Sequence, residues 1–219
     1  MGSRSAIKNP FIDPEQLEIG YWAAQEEYDT NKLARLTKMA EKIGLESVLT
    51  SDHLQPWFDT NGKSGFAWMW MGALAATTEK MAFGTCVTAP DRYHPGLIAQ
   101  MFASFDEMFP GRGLLCLGAG EAINSRPLGI EWPSRAERVE RLKESAEIIR
   151  MIWDSGGKRV SYGGQHFRLN QMKLYTMPQT RIPMYIAAAG KHTARIAGRY
   201  ADGLVVTGGA AKARGEGAL

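Results

Sequence analysis

Ser47-Val48-Leu49-Thr50-Ser51-Asp52-His53-Leu54-Gln55-Pro56-Trp57 joins a short apolar run to an abrupt spill of polar residues. Residues 47–50 read as a buried strand, because the run is short, partly β-branched and bounded by loop formers. Behind it a histidine stands four residues before a tryptophan, with a proline between them. The strand therefore ends at a functional edge and not in a core. Working outward, similar apolar runs occur at 17–24, 81–88, 113–119, 184–188 and 204–207, and the first four begin roughly 30–35 residues apart, the length of one βα repeat.

Helix-period segments fill the gaps. Leu33, Leu36, Ala40 and Ile43 share a face that Gly44 terminates. Pro95 suits a first helical position ahead of Leu97, Ile98, Met101, Phe102 and Phe105. Ser134 and Glu137 have capping-box spacing before Val139, Leu142, Ala146, Ile149 and Trp153. Residues 156–177 interrupt the repeat with alternating Val160, Tyr162, His166 and Leu169 around Gly163-Gly164, the pattern of an inserted hairpin.

A doubly wound open sheet and a (β/α)8 barrel both fit this alternation. The residues at the strand ends favour the barrel: Glu26, then Asp52 and His53, then Thr88, then Gly118 to Asn124, then Ala189 to Thr193, then Thr207. In a parallel barrel these ends share one rim, where active sites are built. Only six βα units are legible in 219 residues, whereas a closed barrel takes about 250. The expectation is one α/β domain over 1–219, an incomplete barrel with a flexible tail over 208–219.

Composition narrows the function classes. Hydrophobic residues make up 44% and charged residues 22%, with a formal charge of +3, so neither a nucleic-acid footprint nor an anionic-membrane footprint stands out. Small molecules are the expected partners. No apolar run reaches the length of a membrane span, no secretory leader is legible, and Cys86 and Cys116 sit inside strand-like runs. A cytoplasmic protein with reduced thiols is expected.

The chemistry-bearing residues each carry a plainer alternative. A near-neutral imidazole beside a carboxylate moves protons at pH 7, but His53 also fits a loop cap paired with Asp52. Trp57 fits a pocket wall or ordinary packing. Gly118-Ala119-Gly120-Glu121-Ala122-Ile123-Asn124 is a glycine-rich turn without the third glycine of a dinucleotide fingerprint. Ala189-Gly190-Lys191-His192-Thr193 opens a helix whose free amides suit a phosphate, and ordinary helix capping fits it equally. His94 reads as a helix cap. No Cys or His spacing suggests a metal.

Together Gly20-Tyr21 with Glu26, Ser51 to Trp57, Gly84-Thr85-Cys86-Val87, Arg92-Tyr93 with Pro95, Gly118 to Asn124, and Tyr185 to Gly190 with Asp202-Gly203 resemble the luciferase-like (β/α)8 superfamily. Within it they are most similar to dehydrogenases using the deazaflavin coenzyme F420, which act on glucose 6-phosphate or secondary alcohols. The resemblance implies that Asp52 and His53 meet the coenzyme and that His53 removes the hydroxyl proton as hydride leaves. It gives Trp57 to the oxyanion, Glu121 to protonation at the coenzyme ring and Glu26 to a supporting acid. It also implies a cis peptide at Cys86-Val87 and coenzyme contacts from Thr88, Gly120, Asn124, Ala189, Gly190, His192 and Thr193. Thr207 matches a substrate contact, but Ala210 stands where the sugar-phosphate enzymes carry a lysine, which argues against a dianionic substrate. A homodimer is expected. An FMN-dependent monooxygenase of the same superfamily and a non-catalytic coenzyme-binding barrel are the alternatives.

Overall fold

The computed structural model describes residues 18–206; Thr207 and the 208–219 tail lie outside them. Six parallel strands make one sheet: β1 (Gly20–Ala23), β2 (Ser47–Thr50), β3 (Ala82–Thr88), β4 (Gly113–Leu117), β7 (Met184–Ala187) and β8 (Gly203–Val205). A separate antiparallel pair, β5 (Val160–Gly163) and β6 (Arg168–Met172), is the expected hairpin excursion. The helices are α1 (Thr30–Lys42), α2 (Ala67–Ala75), α3 (Pro95–Met108), the short α4 (Ala122–Ser125), α5 (Arg135–Trp153) and α6 (Lys191–Tyr200).

Strand order decides between the two architectures left open above. The sheet runs β1-β2-β3-β4-β7-β8, each strand added on the same side of the last, whereas a doubly wound sheet reverses direction at a switch point. Successive addition with right-handed crossovers curls the sheet into barrel staves, here a half-barrel with helices outside. All carboxyl ends consequently face one rim.

The core follows the apolar faces, with adjustments at the helix ends. Leu33 and Ala40 are buried on α1, whereas Ile43 is its exposed C-terminal cap. Ile98, Phe102 and Phe105 are buried on α3, while Leu97 points outward. Phe83, Leu115 and Leu117 join them from the sheet. His94 caps α3 by accepting from the Gly96 amide at 3.1 Å. Ser134 accepts from the Glu137 amide at 3.2 Å, but the Glu137 carboxylate takes Arg141 at 2.7 Å, so only half of the capping box forms.

Carboxylates staple the connections that helices leave open. The Glu144 carboxylate accepts the amides of Gln165, His166 and Phe167 at 2.8–3.0 Å, fixing the β5–β6 turn to α5. Asp106, 1% exposed, accepts from Gly111, Gln179 and Thr180 and ties α3 to the strap before β7. Asp202 accepts from Arg150 at 2.6 Å, Arg181 at 2.5 Å and the Met184 amide at 2.9 Å, joining α5 to the start of β7.

Burial lifts the Asp202 carboxyl, but the Met184 amide and the two guanidiniums outweigh it and hold the group below its ordinary range. A depressed carboxyl stabilises the fold above its unfolded value and loses that contribution as pH falls through the folded one. The stability difference between the parent and Asp202→Asn is therefore expected to be widest at neutral pH and to shrink as acid passes below about pH 4. Urea unfolding at pH 7 and pH 3 checks it; an equal gap at both values would contradict it.

Candidate active site

Four strand ends build one rim. After β1 come Gln25 and Glu26, after β2 Ser51, Asp52 and His53, at the end of β3 Cys86 to Thr88, and after β4 the turn 118–124. The Ser51 hydroxyl donates to Glu26 and accepts the Gln25 amide at 2.9 Å, locking the first strand end to the second.

Asn124 bridges the second and fourth. Its Oδ1 accepts the Leu54 amide at 2.8 Å and its Nδ2 lies 3.2 Å from Nδ1 of His53. The His53 ring meets the edge of Trp57 with centroids 5.2 Å apart, and Ser64 donates to the His53 carbonyl at 2.8 Å. Trp57 itself is 54% exposed and forms an open wall.

Glu121 completes the group. Burial pushes its carboxyl up; His53 opposes that and the negative charge of Glu26 adds to it, so Glu26, His53 and Glu121 share one electrostatic neighbourhood. Its Oε2 is buried without a hydrogen-bond partner. A buried acceptor left open is costly, which marks the place where a bound molecule would donate.

Asp52 stands differently. Its side chain is almost fully buried, and four side chains already supply it: Arg92 at 3.1 Å and Tyr93 at 3.2 Å on Oδ1, Trp68 at 3.3 Å and Thr88 at 3.0 Å on Oδ2. Burial pushes the Asp52 carboxyl up against the pull of Arg92 and the three neutral donors. Thr88 is buried in this same network, 2.8 Å from the Thr85 hydroxyl. Asp52 precedes His53 in the chain, so this network fixes the backbone from which His53 projects.

The peptide between Cys86 and Val87 is cis, as the resemblance implies. Cys86 is half-buried and paired in register with the buried Cys116 on β4; hydrogen bonding with Cys116 lowers the Cys86 thiol against its burial, and raises that of Cys116. The glycines of the 118–124 turn serve close approaches within the chain. A Cβ on Gly118 would lie 2.3 Å from Val87, and one on Gly120, whose φ is +80°, would lie 2.5 Å from Asp91. Asp91 also accepts the Ser125 hydroxyl, so this turn is pinned from both sides.

The 189–193 segment follows β7 and opens α6. Gly190 caps α6 without a side-chain hydrogen bond, leaving first-turn amides open. Ala189 and His192 are exposed, Thr193 is buried, and His192 lies 4.0 Å from Glu140 on α5. Sequence reading singles out neither the Trp68 donor nor the Asp91 anchor. Neither has a linear signal: Trp68 reaches Asp52 over 16 positions and Asp91 reaches Ser125 over 34. Among the described residues no group of His, Cys, Asp or Glu is gathered as a metal would require, and no helix is long and apolar enough to cross a membrane.

Comparison with known proteins gives the family. The model of the luciferase-like monooxygenase family matches residues 16–219. A protein of Microbacterium testaceum named F420-dependent glucose-6-phosphate dehydrogenase is 44% identical over 194 residues, covering 88% of this chain and 57% of that protein. One of the same name from Nakamurella multipartita is 43% identical over 201 residues, covering 91% and 59%. A solved F420-dependent secondary alcohol dehydrogenase, in complex with an F420-acetone adduct, superposes with a TM-score of 0.84 at 40% identity, over 86% of this chain and 57% of that one. The chain thus spans less than three-fifths of the length of these relatives.

Proposed function

Because the chain belongs to the luciferase-like monooxygenase family, we propose that it transfers a hydride between coenzyme F420 and the CH–OH carbon of a secondary alcohol or sugar-type carbinol. The observation that carries this reading is the convergence of His53, Glu26 and Glu121 on one rim, with the Glu121 Oε2 buried and unpartnered. Three relatives named for F420-dependent dehydrogenation support it.

The residues present fit the coenzyme. The open amides at the start of α6 suit a phosphate, and Glu121 offers an acceptor with no partner of its own. When bound, the deazaflavin supplies a ring carbon that accepts or returns hydride. The chain does the rest: His53 meets the carbinol oxygen, Trp57 closes over it, and the carbinol proton stays within the group formed by His53, Glu26 and Glu121. Asp52 and the cis Cys86-Val87 segment form the floor beside them. By the resemblance, which sets Ala210 against a lysine of the sugar-phosphate enzymes, a neutral carbinol is favoured over a dianionic phosphate ester.

The test is anaerobic titration of the purified chain with F420, followed by a panel of secondary alcohols, glucose and glucose 6-phosphate. Saturable coenzyme binding and bleaching of its visible absorbance by a neutral carbinol are expected. Tight FMN with oxygen consumption, or coenzyme binding without turnover of any alcohol, would overturn the reading.

A further inference from the structure

We propose that Asn124 is a positioning residue that holds the neutral His53 ring with its proton on Nε2, so that His53 faces the cleft as a hydrogen-bond donor. A backbone N–H can only donate, so the Leu54 amide at 2.8 Å fixes which end of the Asn124 side chain carries oxygen. Its NH2 end then faces Nδ1 of His53 at 3.2 Å. An amide NH2 also only donates, and two donors cannot share a bond. Nδ1 must present its lone pair.

A neutral imidazole carries one proton, which leaves it on Nε2. Turning the amide over would set NH2 against the Leu54 N–H, replacing one donor–donor clash with another. The clamp has little freedom to do so: Asn124 is 5% exposed, its neighbour Ser125 donates to Asp91, and the His53 ring packs against Trp57.

Only the chemical consequence rests on the hydride-transfer reading above. A ring protonated at Nε2 supports the carbinol oxygen but cannot take its proton there. The O–H bond then breaks toward a carboxylate of Glu26 or Glu121, forming a carboxylic acid, while the C–H bond leaves with its electron pair for the coenzyme and a carbonyl remains. This reassigns the proton that resemblance gives to His53.

The tautomer is read directly in the coenzyme-free chain by 15N NMR of the histidine rings at neutral pH, with His53→Gln identifying the signal. A protonated Nε2 and a bare Nδ1 are expected; the reverse pattern overturns the proposal. Asn124→Asp keeps the shape and the bond to Leu54 but offers His53 an acceptor, so the proton should move to Nδ1. An unmoved proton also overturns it. In a parent that turns over, that variant should lose about 10²-fold in kcat. A parent with the expected tautomer but no hydride transfer would sink the functional reading and leave the positioning role intact.

Discussion

Asp52→Ala is expected to destabilise the chain by about 3–5 kcal/mol, the range for removing one partner of a buried ion pair. The reason lies in what remains. Arg92, its side chain 8% exposed, keeps its charge but loses the Asp52 carboxylate, and Trp68, Thr88 and Tyr93 lose their acceptor at once. For a chain of this size that corresponds to a fall in Tm of roughly 6–20 °C. Asp52→Asn should be nearly as damaging, because its amide nitrogen would have to face either Trp68 and Thr88 or Arg92 and Tyr93. Burial pushes the Asp52 carboxyl up even with Arg92 beside it, so the buried charge is held against a desolvation cost. Exchanging both residues, as in Asp52→Ala with Arg92→Met, should therefore recover part of the loss. Urea unfolding of the two single variants and the double checks this, and a double variant as unstable as the sum of the singles would refute it.

That network also marks the boundary of what the sequence discloses. The β2 strand and its polar end were legible because burial on both faces demands a continuous apolar run, and a run that stops must surrender its polar residues to a loop. The barrel followed from six such ends. Their sharing of one rim was legible too, since parallel crossovers leave no other arrangement. Partnership was not. Asp52 looked like a ligand-facing acid next to His53, yet its carboxylate is saturated by residues up to 41 positions away. The resemblance gives Gly120 to the coenzyme, yet the sides on which Gly118 and Gly120 lack a Cβ face Val87 and Asp91. Such contacts depend on where separate loops converge, and linear spacing holds no record of that. Asn124 was legible only as a candidate for the site, and its hold on His53 spans 71 positions and appears only in three dimensions.

His53→Ala should separate chemistry from stability in the opposite sense to Asp52→Ala. The ring is only half-buried, with Trp57 an exposed neighbour, so truncation leaves a small void open to water and a stability change within about 1 kcal/mol. Turnover should fall by about 10²–10³-fold, the cost of removing one donor aimed at an oxygen that gains charge. Coenzyme affinity should hold, because the amides at the start of α6, proposed above to hold the phosphate, and the Cys86-Val87 segment are untouched. His53→Gln adds the discriminating comparison. Its amide keeps an N–H near the position of Nε2 but cannot act as a base, so a donor role predicts partial recovery relative to alanine, whereas a proton-abstracting role predicts none. Steady-state kcat for the three proteins, with coenzyme Kd measured alongside, decides it. Equal losses in both variants would return the carbinol proton to His53 and place Glu26 and Glu121 behind it.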